Sequence, residues 1–282
     1  MIPKIIHSVW LSGEEKPDLY KMCINSWHEV MPDFEIKEWN LSNLPDEILN
    51  HQFVKGALKA KKWAYATDVI RLWALRKFGG IYLDMDVIVF RPFNCFLNDH
   101  AFSCLEINPK ELYTSVRKRE KELLGIGIEA GVLGAEQGSR WISDIFSYYR
   151  DLEFVNDPKY YCNYIMPRVV NRVSQEKYSF KQIPVYQVLR GGVKIYPAET
   201  FSWIYKWQLL GMEFSPENVK ELSKIQPMRY ACHLTLHSWW DGMDRKDSTI
   251  YKIKHWIYKF TGGKLNKKYL RSLLPFKKND KW

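Results

Sequence analysis

A helix, two glycines, a short apolar strand and an acidic pair follow one another in the first third of the chain, and this order constrains the fold most. Residues 59–78 carry an apolar stripe with helical spacing. Gly79-Gly80 predicts the end of that helix. Ile81-Tyr82-Leu83 predicts a strand running into Asp84-Met85-Asp86, and residues 87–90 resume the apolar run. The sequence therefore predicts an α/β domain in which a buried strand ends at two carboxylates.

Strands and helices alternate around this feature. Strand patterns lie at residues 2–10, 34–39, 101–106, 193–196 and 228–240. Helical patterns lie at residues 17–29, 139–149 and 158–174, the last with Pro167 near its middle. The polar residues 109–124 predict a surface excursion. The glycine-rich residues 125–134 have two interpretations, a turn with a buried strand or a close approach to a ligand with Glu129 as a polar contact.

The positive charge of the chain is concentrated at its C-terminal end. The net charge is +10, but residues 251–282 hold ten Lys or Arg and one Asp, which leaves +1 for residues 1–250. A nearly neutral body argues against a basic groove for nucleic acid. We expect a catalytic domain over residues 1–245 and a basic amphipathic helical tail over residues 246–282.

Two further observations bear on compartment and cofactors. The five cysteines, Cys23, Cys95, Cys104, Cys162 and Cys232, have no metal-type spacing, which predicts reduced core residues. The sequence shows neither a secretory leader nor an apolar run long enough for a spanning helix. We expect a cytoplasmic protein that is peripheral at the inner face of the cell membrane.

The acidic pair predicts a metal site. Two carboxylates one residue apart repel each other and resist burial unless a cation lies between them. Mg²⁺ or Mn²⁺ takes one or two protein carboxylates and leaves room for phosphate oxygens. A D-x-D pair is also common in solvated loops, but this one stands at the end of an apolar strand, where open α/β sheets bind ligands.

Several segments resemble one enzyme family over most of residues 1–240. They are Ile2-Pro3-Lys4-Ile5-Ile6-His7 with Trp10, Ser26-Trp27, the block from Lys62 through Asp68 and Arg71 to Asp86, and His233 with Ser238-Trp239. The chain is similar to the glycosyltransferases containing a DXD motif (family 32), which include capsular polysaccharide transferases, the initiating α-1,6-mannosyltransferase and α-1,4-galactosyltransferases, and more distantly to clostridial glucosylating toxins. The resemblance implies a Rossmann-like GT-A fold, a nucleotide-sugar donor, a divalent metal and retention of anomeric configuration.

The resemblance also implies roles for residues before the middle of the chain. Trp10 would stack on the donor's base, unless it is an ordinary core residue. Asp68 and Arg71 would contact the donor sugar and its phosphate, the alternative being an i, i+3 surface ion pair. Asp86 would ligate the metal directly, and Asp84 would reach the ribose or the metal through water. Asp86, Asp68 and Arg71 are the expected catalytic residues.

A second group of matching residues lies near residue 238. Ser238 and Trp239 would close over the diphosphate of the donor. The family often has two adjacent histidines there, whereas this chain has His233 followed by Leu234, and His237 just before Ser238. Both His233 and His237 are weaker metal-ligand candidates, because a histidine beside aromatics is more often structural.

The favoured function is transfer of a hexose from a nucleotide sugar to a glycan or lipid-linked oligosaccharide in bacterial surface polysaccharide synthesis. The expected donor is a UDP-hexose, with GDP-mannose as the second choice. One alternative is a metal-dependent phosphohydrolase or nucleotidyltransferase, although no P-loop is present. Another is a nonenzymatic nucleic-acid-binding protein that uses the tail.

The tail itself has two interpretations. Basic residues alternate with aromatic and aliphatic ones such as Trp256, Tyr258 and Phe260. This pattern is typical of a peripheral anchor on an anionic membrane. It is equally consistent with a helix packed on the catalytic domain.

Overall fold

The computed structural model describes residues 1–119, 125–202 and 229–234. The strands of this part of the chain are β1 (Ile5–Val9), β2 (Glu35–Trp39), β3 (Gly80–Leu83), β4 (Val87–Val89), β5 (Ala101–Ile107), β6 (Ile126–Ile128), β7 (Val132–Ala135), β8 (Gln187–Val188), β9 (Val193–Tyr196) and β10 (Ala231–His233). The helices of this part are α1 (Asp18–Val30), α2 (Asp46–Leu49), α3 (Gln52–Lys59), α4 (Trp63–Phe78), α5 (Pro109–Lys118), α6 (Arg140–Tyr148), α7 (Pro158–Tyr164) and α8 (Met166–Tyr178). The predicted α/β class is confirmed.

A mixed sheet forms the centre of the described residues. Its strand order is β2-β1-β3-β7-β5-β9-β8, and β6 pairs with β5 beside this path. β1 is parallel to β2 and β3, whereas β7 runs antiparallel to both β3 and β5. A separate antiparallel ribbon joins β4 to β10, with His233 opposite Val87. The ribbon brings a late segment of the chain to the strand that follows the acidic pair.

The core lies on both faces of the sheet, as the alternation along β3 shows. Tyr82 belongs to a buried cluster shared with α3, α4, α6, α7 and α8. Ile81 and Leu83 belong to a second cluster, which contains Trp27 of α1 and Phe93. Because successive side chains of a strand point to opposite faces, β3 is covered on both sides and its end is held rigidly.

The C-terminal end of α4 depends on a glycine. Gly79 has a φ of +65°, and a Cβ there would lie 2.6 Å from the backbone nitrogen of Gln137. Only a residue without a side chain fits that conformation and that space together. The chain therefore leaves α4 sharply and enters β3 at Gly80.

The helix boundaries differ from the sequence predictions in two places. The helix predicted over residues 59–78 begins at Trp63, and α3 precedes it. The single helix predicted over residues 158–174 is two helices, because Ile165 between them is extended, with φ −63° and ψ 134°. Pro167 lies in the first turn of α8, where its missing N–H group costs no hydrogen bond.

Residues 109–118 of the predicted surface excursion form α5. The side chain of Asn108 caps this helix by accepting a hydrogen bond from the backbone N–H of Glu111 at 3.1 Å. Tyr113 on the helix is 60% exposed, so α5 does lie at the surface.

The prediction of core cysteines is correct for Cys23, Cys104 and Cys232, which are buried and free, but wrong for Cys95, which is exposed. Cys95 lies in the 3-10 turn Phe93–Phe96, whose two phenylalanines face the core while Cys95 points outward.

Among the described residues, no helix has the length and apolarity required to cross a membrane. The predicted tail, residues 246–282, lies outside the described residues.

Candidate metal and donor site

The acidic pair occupies a tight turn between β3 and β4. The backbone N–H of Asp84 donates to the carbonyl of Gly131 at 2.9 Å, and the N–H of Val87 donates to the carbonyl of Asp84 at 3.0 Å. The carbonyl of Asp86 accepts from the N–H of Leu234 at 2.9 Å. The turn is thus fixed by Gly131, just before β7, on one side and by Leu234, just after β10, on the other.

His233 of β10 completes a cluster with the two aspartates. One ligand atom from each of Asp84, Asp86 and His233 can be chosen so that all three lie within 4.8 Å of one another. Nε2 of His233 is 3.2 Å from Oδ1 of Asp86 and 3.8 Å from Oδ2 of Asp84. The structure thus brings together the two predicted acids and one of the two weaker histidine candidates.

This donor set fits a divalent cation. Two carboxylates and one imidazole suit Mn²⁺ or Mg²⁺ better than a soft metal, and the carboxylates repel each other without a cation. Gly131 also fits this role, because a Cβ there would lie 2.7 Å from Nδ1 of His233 and 3.0 Å from Oδ2 of Asp84. The glycine leaves this space to the cluster, whereas the side chain of any larger residue would fill it.

The electrostatics of His233 follow from its carboxylate neighbours. Burial alone would lower the pKa of His233, but Glu129 and Asp86 outweigh it and raise that pKa well above its ordinary value. Burial would raise the pKa of Glu129, but His233 and the N–H of Gly131 hold it below its ordinary value. Without a bound cation, the site therefore favours a protonated His233 and an ionised Glu129.

Asp68 and Arg71 lie on the inner face of α4 and form a buried ion pair with 2.8 Å between Oδ1 and the guanidinium. Arg71 also donates to the carbonyl of Ala130 at 2.7 Å and lies 3.4 Å from Asp84. Asp68 accepts from the backbone N–H of Met166 at 3.1 Å. The alternative of a surface pair is wrong: the i, i+3 pair exists, but it is buried and linked to the acidic turn.

Trp10, which follows β1, is half-buried. Its indole N–H donates to the carbonyl of Glu14 at 2.8 Å, and its ring meets Tyr20 edge-on at 5.6 Å. Burial, Asp86 and Asp84 raise the pKa of Tyr20 to about 12. The charges of the acidic pair thus act on Tyr20, which contacts Trp10. Stacking of Trp10 on a donor base stays a prediction.

Tyr82 is a site residue that the sequence interpretation missed. Its hydroxyl donates to Oδ1 of Asp84 at 2.5 Å, and the guanidinium of Arg71 lies 4.4 Å from the centre of its ring. Residues two apart on a strand share one face, so the i, i+2 spacing of Tyr82 and Asp84 was the available signal. Three other predicted site residues, His237, Ser238 and Trp239, lie outside the described residues.

Comparison with protein families identifies the segment that contains the acidic pair of this site. Residues 17–118 match the family model described as "Glycosyltransferase sugar-binding region containing DXD motif". The match includes Asp68, Arg71, Asp84 and Asp86, and it confirms the resemblance inferred from sequence.

Two curated proteins each match about a third of the chain. Inositol phosphoceramide mannosyltransferase 3 of Schizosaccharomyces pombe is 33% identical over 89 residues, which cover 30% of this chain and 24% of that protein. The uncharacterized glycosyltransferase L373 of Acanthamoeba polyphaga mimivirus is 29% identical over 101 residues, covering 34% of this chain and 40% of that protein. The chain thus spans less than half of either relative.

Among solved structures, the galactosyltransferase LgtC in complex with donor and acceptor sugar analogs overlaps with 96% of this chain and 100% of that one. The sequence identity is 13% and the TM-score is 0.45.

Proposed function

We propose that the protein is a metal-dependent, retaining glycosyltransferase of the GT-A type that transfers a hexose from a nucleotide sugar to a glycan. The observation that supports this most strongly is the cluster of Asp84, Asp86 and His233, whose two acids follow β3 within the DXD sugar-binding region. The preferred donor is a UDP-hexose. The S. pombe relative is named a mannosyltransferase, which makes GDP-mannose the second donor to test.

Asp84, Asp86 and His233 would hold Mn²⁺ or Mg²⁺, which would neutralise charge on the departing diphosphate. Arg71 is buried and charged, so it would add a fixed positive group toward the phosphates. Asp68 would accept hydrogen bonds from hydroxyls of the donor sugar. With retention, the acceptor hydroxyl would attack the anomeric carbon on the face that the diphosphate leaves, and the departing diphosphate would take up the hydroxyl proton.

The acceptor and the cellular location are further parts of this proposal. We infer a glycan or lipid-linked oligosaccharide of bacterial capsule or surface polysaccharide as the acceptor, reached at the inner face of the cell membrane. The division into a catalytic domain (1–245) and a membrane-binding tail (246–282) rests on the charge pattern of the sequence. Sedimentation with anionic vesicles, before and after replacing Lys267, Lys268 and Arg271 with glutamine, tests the tail. Equal binding by both proteins would contradict this role.

A hydrolysis assay tests the enzymatic proposal. The full chain is incubated with Mn²⁺ and a panel of UDP- and GDP-sugars, and release of the nucleoside diphosphate is followed. We expect slow release from one donor, its loss in Asp86→Ala, and normal release in Asp151→Ala, which changes an exposed aspartate outside the cluster.

Two outcomes would contradict the proposal. Release of inorganic phosphate or of a nucleoside monophosphate would instead favour the phosphohydrolase or nucleotidyltransferase alternative. No release from any donor, together with no Mn²⁺-dependent nucleotide binding in calorimetry, would show that the acidic pair is structural.

A further inference from the structure

Glu129 lies behind the metal cluster and is shielded from solvent. It stands between β6 and β7 and is 1% exposed. Its backbone N–H donates to the carbonyl of Cys104 at 2.9 Å, which ties its main chain to β5. Its Oε1 accepts from the N–H of Gly131 at 2.8 Å and lies 2.9 Å from Nδ1 of His233. A buried carboxylate is costly unless its bonds serve the fold or a ligand.

The contact with His233 fixes which ring nitrogen faces the cluster. A carboxylate oxygen only accepts, so the hydrogen of this bond belongs to Nδ1 of the imidazole. Nε2, at the opposite side of the ring, is then directed to Oδ1 of Asp86 at 3.2 Å. In metal sites, a carboxylate on one ring nitrogen orients the imidazole and makes the other nitrogen a better ligand.

Besides Glu129, the polar groups of the described residues that the ring of His233 faces are Asp86 at 3.2 Å and Asp84 at 3.8 Å, the two acids that would share a cation with it. The backbone of His233 is held by pairing with Val87 of β4 and by donation of its N–H to the carbonyl of Phe201 at 3.0 Å. These bonds fix the main chain but not the rotation of the ring. A Cβ at Gly131 would lie 2.7 Å from Nδ1 and 2.8 Å from Cε1, so this glycine lies against the ring edge without a side chain of its own. In the described part of the chain, the Glu129 carboxylate is the group bonded to Nδ1.

We propose that Glu129 is a positioning residue that holds the imidazole of His233 with Nε2 toward Asp84 and Asp86, so that the three side chains bind a divalent cation together. This inference rests on the proposed metal site. It gives Glu129 a role other than contact with a sugar.

Mn²⁺ binding to the full chain tests this role without any assay of turnover. Glu129→Met has a similar shape but accepts no hydrogen bond from Nδ1, whereas Glu129→Gln keeps an acceptor oxygen. Free Mn²⁺ is measured from its electron paramagnetic resonance signal during titration. We expect about 10–100-fold weaker binding in Glu129→Met, the usual effect of losing such a support, and recovery of most of the affinity in Glu129→Gln.

A double-mutant cycle separates this role from a general structural one. In a His233→Gln background, Glu129→Met should cause no further loss of Mn²⁺ affinity, because it acts through the imidazole that is already absent. Equal losses in both backgrounds would overturn the proposal, as would wild-type affinity in Glu129→Met. Circular dichroism and thermal unfolding confirm that each variant is folded before its affinity is compared.

The outcomes also separate this inference from the proposed function. Coupled loss of Mn²⁺ affinity in a protein that turns over no nucleotide sugar would support the role of Glu129 and contradict the transferase. Sugar release by the protein, with unchanged Mn²⁺ affinity in Glu129→Met, would support the transferase and contradict the role of Glu129. Absence of Mn²⁺ binding by the wild-type protein would overturn the metal site and this role with it.

Discussion

Gly131 packs so closely against His233 that a Cβ at position 131 would lie 2.7 Å from Nδ1 of the imidazole. The same Cβ would lie 3.0 Å from Oδ2 of Asp84. Both distances are shorter than ordinary van der Waals contact, so a side chain must displace the histidine, the aspartate or the strand. The geometry of the cluster therefore depends on a residue that contributes no ligand atom.

Gly131→Ala should weaken Mn²⁺ binding at least about tenfold, because His233 and Asp84 cannot both keep their positions. It should also cost about 1–3 kcal/mol of unfolding free energy, as overpacking does. Titration with Mn²⁺ and urea unfolding measure the two effects separately.

Gly138→Ala is the matched control. Gly138 has a φ of +73° and open space around its Cα, so alanine should cost about 1–2 kcal/mol through backbone strain and leave Mn²⁺ affinity unchanged. Equal loss of Mn²⁺ affinity in both variants would show that destabilisation, not the ring contact, is responsible.

The buried pair of Asp68 and Arg71 predicts a large loss of stability when only one partner is removed. Burial raises the pKa of Asp68 to about 7 even beside Arg71. Arg71→Leu leaves this carboxyl group buried without its counter-charge, so it must take up a proton or stay unpaired, which should cost about 3–5 kcal/mol of unfolding free energy. Adding Asp68→Asn should restore part of this loss, because a neutral amide costs less to bury.

Lys177→Ala, in the partly exposed pair with Asp144, gives the comparison for that experiment. Lys177 is about half exposed, and its loss should change the unfolding free energy by less than about 1 kcal/mol. Urea unfolding of the four proteins provides the measurement. A loss in Arg71→Leu no greater than that in Lys177→Ala would show that Asp68 is not held as a buried charge.

The hydrogen bond from Tyr82 to Asp84 predicts that loss of the Tyr82 hydroxyl changes the affinity for the metal. Tyr82→Phe keeps the ring beneath Arg71 but frees Oδ1 of Asp84, so Mn²⁺ affinity should fall by about tenfold. Tyr178→Phe removes a similar bond to Asp144, 2.7 Å long and away from the cluster, and should leave Mn²⁺ affinity unchanged. Equal affinities in the two variants would contradict a supporting role for Tyr82.

The acidic pair and its strand could be predicted from sequence because all their determinants are local. The apolar stripe of α4, the stop at Gly79 and the apolar β3 follow one another directly, and the pair then falls at a strand end. Only local spacing was needed to expect a metal site there.

The third member of the cluster could not be predicted in the same way. His233 reaches Asp86 only because β10 pairs with β4, and no local pattern predicts which distant segments pair. Beside aromatic residues, His233 and His237 looked equally structural. The break at Ile165 was missed for another reason, since the apolar spacing continues across residues 158–174 while the backbone does not.

The environment of His7 predicts how stability depends on pH. His7 is fully buried; its Nε2–H donates to the carbonyl of Gly79 at 2.8 Å, and its Nδ1 accepts from the indole N–H of Trp39 at 3.1 Å. Both contacts are satisfied by the neutral ring, whereas a protonated Nδ1 would face another donor. Burial is the main cause that lowers the pKa of His7 to about 4, and the charge of Lys37 also lowers it. The hydrogen bond to the carbonyl of Gly79 acts in the opposite direction.

The direction of this pH dependence follows from the pKa of His7 in the folded and unfolded states. The unfolded chain takes up a proton on His7 as pH falls through about 6.5, whereas the folded protein takes it up only near pH 4. Stability from the neutral ring is thus fully present above pH 6.5 and is lost as pH falls toward 4. Between pH 7 and pH 5, this histidine should remove about 1–2 kcal/mol of unfolding free energy.

His7→Gln should be less stable than the wild-type protein at pH 7 but should lose less stability between pH 7 and pH 5. Other titrating groups contribute to both proteins, so the difference between the two pH dependences isolates His7. Urea unfolding at the two pH values measures it, and replacing the exposed His28 with glutamine tests for an unspecific effect of losing a histidine. If His7→Gln and the wild-type protein lose equal stability, His7 takes up its proton over the same pH range in the folded and unfolded states, and burial with Gly79 and Trp39 does not favour the neutral ring.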